Sequence, residues 1–158
     1  MCLIIDANKT ADFVNRRRDA DHQPIYRWLE RDGRLAIGGR LLKEQYRVEK
    51  AKRYLLQLLR AGRALRCDDG EVNAEERQVG DSGLCRSDDP HVIALARVSG
   101  ARVLFTGDRD LMADFGNPQL VPGPRGKIYK RAEHEHLLRN SPPCRRPDQR
   151  PPLPQQRA

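Results

Sequence analysis

The chain has 158 residues, 38% of them hydrophobic and 33% charged, with a formal net charge of +8. That length suits one domain with a core of its own, without metal or disulfide staples. No apolar run approaches the roughly 20 residues that cross a bilayer, and the opening MCLIID is too short for a secretory core, so a cytoplasmic chain is expected.

In chain order, MCLII reads as a short buried strand ending at Asp6. TADFVNRR and PIYRWLERDG follow as helical pieces; in the second, Ile25, Trp28 and Leu29 recur at i, i+3 and i+4, and Gly33 ends it. LAIGG is a second strand. RLLKEQYRVEKAKRYLLQLLRAG reads as one helical stretch with Leu41, Leu42, Tyr46, Tyr54, Leu55, Leu58 and Leu59 as its apolar face and Gly62 as its stop. RALRC is a third strand, and VNAEERQV a short helix within the acidic segment 68–83.

SDDPHVIALARVSG is the best-punctuated helix. Cap-type residues precede it, Pro90 suits its first turn, Val92, Ile93, Leu95 and Ala96 form its apolar face, and Gly100 closes it. ARVLFTG is the clearest strand. LMADFG reads as a short helix, QLVPG as an edge strand, GKIYK as a further strand or loop, and EHEHLLRN as a last helix. From Asn140 the sequence is rich in Pro and Arg and has little to bury, so a domain over 1–139 and a disordered tail over 140–158 are expected.

Strands alternating with helices predict a three-layer α/β/α fold with a central, mainly parallel twisted sheet. The four cysteines, Cys2, Cys67, Cys85 and Cys144, show no C-x-x-C pair, which argues against zinc. Cys2 and Cys67 read as buried thiols, since disulfides are unusual in the cytoplasm. Residues 140–158 carry four Arg against one Asp, a net of +3, leaving +5 for the rest. A basic surface of this kind suits a polyanionic partner.

Asp6 and Asp108 each follow an apolar strand, and ligands of parallel sheets gather outside those strand ends. Asp89 opens the helix before the strand that leads to Asp108, and Glu44 lies on the helix after the second strand. Two carboxylates about 4 Å apart repel by roughly 4 kcal/mol at an effective dielectric near 20. A hard cation relieves that repulsion, and oxygen ligands without paired His or Cys favour Mg²⁺ or Mn²⁺. Such an ion activates water and stabilises a leaving oxygen, the requirements of phosphodiester hydrolysis. Taken singly, each acid also fits a turn or a helix cap.

These motifs resemble those of the PIN domain, the fold of many metal-dependent ribonucleases, including toxins of bacterial toxin–antitoxin pairs. LIIDAN is similar to the family's first strand, with its acid at Asp6 and a polar accessory at Asn8; GGRLLKEQY is similar to the helix that carries the second acid, Glu44. DDPHVIALARVSGARVLFTGDRDL has the family's order of acid, alanine-bearing helix, Gly turn, strand and Thr-x-Asp-x-Asp. By that pattern Asp89 is the third acid and Asp108 the fourth, Asp110 is an accessory ligand, and Thr106 orients the site. Glu30 and Glu49 are alternatives to Glu44, and Asp88 to Asp89, which is preferred for its spacing to Ala94, Ala96 and Thr106.

The resemblance implies an endoribonuclease acting on single-stranded RNA with Mg²⁺ or Mn²⁺, a possible homodimer, and an antitoxin protein as partner if the chain is a toxin. Arg16, Arg17, Arg18, Lys43, Arg109, Arg125 and Lys127 are the basic groups available to RNA. A non-catalytic binding module is the alternative. A phosphoacceptor receiver domain ranks low, because LAIGG and RALRC end without an acid. Trp28 reads as core, His91 as packing at a helix start, and His134 and His136 as solvated.

Overall fold

The structure, a computed structural model, describes residues 1–145. Its elements are β1 (Cys2–Ile5), α1 (Ala7–Asn15), α2 (Gln23–Arg31), β2 (Arg34–Ile37), α3 (Gly39–Gln45), α4 (Glu49–Arg60), β3 (Ala64–Arg66), α5 (Asp69–Asp81), α6 (Pro90–Ser99), β4 (Val103–Phe105), α7 (Arg109–Phe115), β5 (Lys127–Tyr129) and, after a 3-10 turn over Ala132–His134, α8 (Glu135–Arg139). The five strands form one sheet in the order β3-β2-β1-β4-β5, and every pairing is parallel. The predicted α/β/α architecture is therefore the observed one.

The period-2 alternation of the strands builds two cores. Leu3, Ile5, Leu35, Ile37, Val103 and Phe105 face a layer that includes Phe13, Ile25, Trp28, Leu55 and Leu138, from α1, α2, α4 and α8. Cys2, Ile4, Ala36 and Leu104 face the opposite layer, with Val72, Val79, Leu111, Phe115 and the whole apolar surface of α6. Each large aliphatic side chain withdrawn in this way contributes about 1.5–3 kcal/mol. From His91 to Ser99 every residue of α6 is buried, because the helix lies under α5 and against the sheet and has no face left for water. Its one guanidinium, Arg97, reaches Glu75 Oε1 at 2.6 Å and the Leu120 carbonyl at 2.9 Å.

Three expectations are corrected. The long helical stretch predicted across residues 40–62 is two helices, α3 and α4, separated at 46–48. Gln45 is drawn inward, where its Nε2 donates to the Ile5 carbonyl at 2.9 Å, and Val48 is extended at the start of α4. QLVPG is a turn rather than an edge strand. Asn117 accepts from the Gln119 N–H through its side chain and from the Leu120 and Val121 N–H groups through its carbonyl, which curls the chain. The edge is taken by β5, paired with β4 from Val103↔Lys127 to Phe105↔Tyr129.

Cys2 is not a free thiol but is bonded to Cys144, whereas Cys67 is buried and free as expected. The predicted tail begins packed against the domain: Ser141 is buried and the Arg145 N–H donates to the Ser99 carbonyl. The remainder of that tail, 146–158, lies outside the described residues. Among the described residues no helix is long and apolar enough to cross a membrane.

Candidate functional site

From β1 the chain winds to β2 and β3 on one side; β4 and β5 lie on the other. The strand order therefore reverses between β1 and β4, and an open parallel sheet has its ligand crevice outside the carboxyl ends of the strands at such a point. Asp6 directly follows β1, and its N–H extends the ladder by donating to the Phe105 carbonyl at 2.9 Å. Thr106 directly follows β4. Its hydroxyl donates to Asp6 Oδ2 at 2.7 Å and accepts from the Asp108 N–H at 3.1 Å. One buried threonine thus joins the two predicted strand-end acids across the switch point.

Asp6 is only 5% exposed. Its other oxygen accepts from the Ala7 N–H at 2.8 Å and caps α1. Burial pushes the Asp6 carboxyl above the usual carboxylate range; hydrogen bonds from Thr106 and Ala7 and the nearby His91 pull it down, and Asp108 pushes it up. Asp108 is half-buried and caps α7, with Oδ1 accepting from the Asp110 N–H at 2.9 Å and the Leu111 N–H at 3.2 Å. Asp110 itself is exposed, as is Asn8, whose Oδ1 accepts from the Gly107 N–H at 3.5 Å.

Asp89 precedes α6 and is half-buried. Its carboxyl is raised first by burial, then by Asp6, with Asp108 and Glu44 adding to the rise and His91 opposing it. Asp89 is therefore an electrostatic neighbour of each of the other three predicted acids. Asp88, the alternative to Asp89, is exposed. The loop before Asp89 is fixed by Asp114, which accepts from the Arg86 N–H at 2.8 Å and from the Ser87 N–H and hydroxyl at 2.9 and 2.7 Å.

Glu44 reaches the rim from α3. Gly38 and Gly39 make the turn from β2 into that helix with φ of +148° and +60°. A Cβ on Gly39 would stand 2.5 Å from Val72 Cγ1, so only glycine fits. At the other end of α3 the buried Gln45 ties the helix to the end of β1. Glu44 Oε1 lies 3.1 Å from His91 Nε2 and 3.6 Å from Arg40 Nε. Glu30 and Glu49 are exposed, and Glu30 faces Arg17 at 4.0 Å on α2.

Three nearby groups escaped the sequence reading. Glu76 of α5 stands 3.8 Å from His91 Nδ1 and 3.9 Å from Arg40 Nη1; its place in the Val72–Val79 stripe was the available signal. Asp114 lies on the same short helix as the buried Leu111 and Phe115, an acid where an apolar residue was due. Lys9 sits 5.4 Å above the Phe105 ring and beside Gly107, adding a cation to the rim. Among the described residues no three His, Cys, Asp or Glu side chains are gathered tightly enough to grip one ion directly.

Fold and rim together define a doubly wound α/β domain with acidic side chains at its switch point. The sequence matches no family model and no curated protein. Among solved structures the chain is similar to one in the crystal structure of VapBC2 from Rickettsia felis bound to a DNA fragment from their promoter, with 15% identity and a TM-score of 0.48 over 82% of this chain and 100% of that chain. At that level it is a likeness of shape, and no residue role is taken from it.

Proposed function

We propose that Asp6, Glu44, Asp89 and Asp108 form the divalent-cation site of a PIN-like ribonuclease that hydrolyses phosphodiester bonds in single-stranded RNA. The observation that carries this reading is the Thr106 hydroxyl holding Asp6 and the backbone of Asp108 together across the β1/β4 switch point. Burying and crowding carboxylates is costly unless a cation compensates, and Asp6 and Asp89 are both raised, first by burial and then by neighbouring carboxylates.

Mg²⁺ and Mn²⁺ fit an all-oxygen donor set. Mg²⁺ keeps several waters and needs only one or two direct carboxylates, which accords with acids that are neighbours without closing on a single point. Such an ion, when bound, lowers the pKa of water and offsets charge on the phosphate. The chain's own contribution is to fix the ligands: Thr106 and the Ala7 N–H orient Asp6, the Asp110 and Leu111 N–H groups orient Asp108, and Asp114 sets the loop before Asp89. Asp110 and Asn8 are accessory groups on the open side. Lys9 and Arg109 offer cations to the phosphates of a strand laid along the rim. A toxin role, with an antitoxin protein covering this rim and a homodimer as the working unit, belongs to the same proposal.

The test is cleavage of labelled single-stranded RNA with Mn²⁺ and with chelator. Cleavage should require the ion and disappear in Asp6→Asn and Asp108→Asn proteins that still fold; parent-level cleavage by both variants contradicts the assignment. The looseness of the acid cluster favours a second reading, a non-catalytic PIN-like module that binds nucleic acid or protein. That module would bind without cutting under the same conditions.

A further inference from the structure

His91 is the second residue of α6, two positions after Asp89, and its side chain is 1% exposed. A residue packed only to start a helix would be served better by an aliphatic side chain. Instead the imidazole stands between two carboxylates from different helices: Nε2 is 3.1 Å from Glu44 Oε1 on α3, and Nδ1 is 3.8 Å from Glu76 Oε1 on α5. The first contact is poorly aligned and the second is too long, so neither ring nitrogen nor Glu76 Oε1 has a hydrogen bond. A buried polar group left in that condition costs about 1–3 kcal/mol, so its presence is explained by what it holds rather than by packing. Arg40 closes the group from outside, 3.6 Å from Glu44 and 3.9 Å from Glu76.

We propose that His91 is a positioning residue: it holds the Glu44 carboxylate at the rim, with Glu76 steadying the opposite edge of the ring. This rests on the cation-site reading. Groups that orient ligating carboxylates from behind typically change metal affinity about 10–100-fold when lost. The same helical turn carries Asp89, so one rigid element sets two of the four acids. Glu76 thereby belongs to the site's support, although the acidic segment that contains it showed no such role in the sequence.

The test measures Mn²⁺ affinity from the paramagnetic resonance signal of the free ion, on the full chain and with no RNA present. The variants are His91→Leu, His91→Asn and His91→Gln, with Asp108→Asn as the control for the site itself. A glutamine amide can reach Glu44 as Nε2 does; an asparagine amide takes the place of Nδ1 and falls short. Leu and Asn should weaken Mn²⁺ binding about 10–100-fold, and Gln should recover most of it. If Leu prevents folding, the Asn–Gln contrast decides.

Equal affinity in all three variants and the parent overturns the role of His91, as does a Gln protein no better than Leu or Asn. Those outcomes leave the cation site standing when Asp108→Asn alone loses Mn²⁺. A parent that takes up no Mn²⁺, or an Asp108→Asn protein that binds as the parent does, removes the cation site and the positioning role with it.

Discussion

Replacing Thr106 by valine tests the junction on which the site depends. The side chain is 2% exposed, and its hydroxyl donates to Asp6 Oδ2 at 2.7 Å while accepting from the Asp108 N–H at 3.1 Å. Valine keeps the shape and removes both bonds. A hydrogen bond to a charged group contributes about 1.5–3 kcal/mol, and a buried group left unpaired costs about 1–3 kcal/mol. The two bonds share one oxygen and their losses overlap, so a total near 2–4 kcal/mol is expected. In a domain of this size that lowers the melting temperature by on the order of 10 °C.

Serine at the same position keeps the hydroxyl and loses one buried methyl, about 1 kcal/mol. Thermal melts followed by circular dichroism, without divalent ion, give both values. Without the Thr106 bond that pulls it down, the Asp6 carboxyl should also rise further. A Thr106→Val protein that melts with the parent, or a serine variant as damaged as the valine one, refutes the reasoning.

Two further predictions concern the same rim. Asp6 is raised in the folded state, so above its ordinary value of 3.8 the native protein binds more protons than the unfolded chain, and the acid's contribution to stability falls as pH rises through that window. The melting temperature of Asp6→Asn relative to the parent, measured without metal, should therefore climb as pH rises above that value; a flat or falling difference contradicts the shift. Gly39→Ala forces a Cβ into Val72 at a φ of +60°. It should cost roughly 1–3 kcal/mol in urea unfolding and weaken Mn²⁺ uptake by moving α3, whereas a neutral substitution shows that the turn does not set Glu44.

The strand-end acids were legible because the chain writes them plainly: an apolar run of strand length, then a carboxylate. The signals at Pro90 and Gly100 bounded α6 for the same local reason, and Gly100 does adopt a left-handed φ of +80°. What escaped depended on partners far away in sequence. Gln45 breaks the long helix because the Ile5 carbonyl, 40 residues earlier, accepts its amide. Asp114 is buried in an apolar position because the Arg86 and Ser87 N–H groups need an acceptor there. His91 and Glu76 meet only after α5 and α6 pack together, and Cys2 pairs with Cys144 across a separation of 142 residues. Periodicity reports which face is apolar; it does not report which polar atom waits beneath that face.

The most direct measurement is anomalous diffraction from crystals of the full chain soaked in Mn²⁺. A peak is expected at the β1/β4 switch point, within direct or one-water reach of the Asp6 and Asp108 carboxylates and on the side of the rim where Asp89 and Glu44 lie. A peak bound only elsewhere on the surface, or none at the switch point at saturating Mn²⁺, contradicts the cation site.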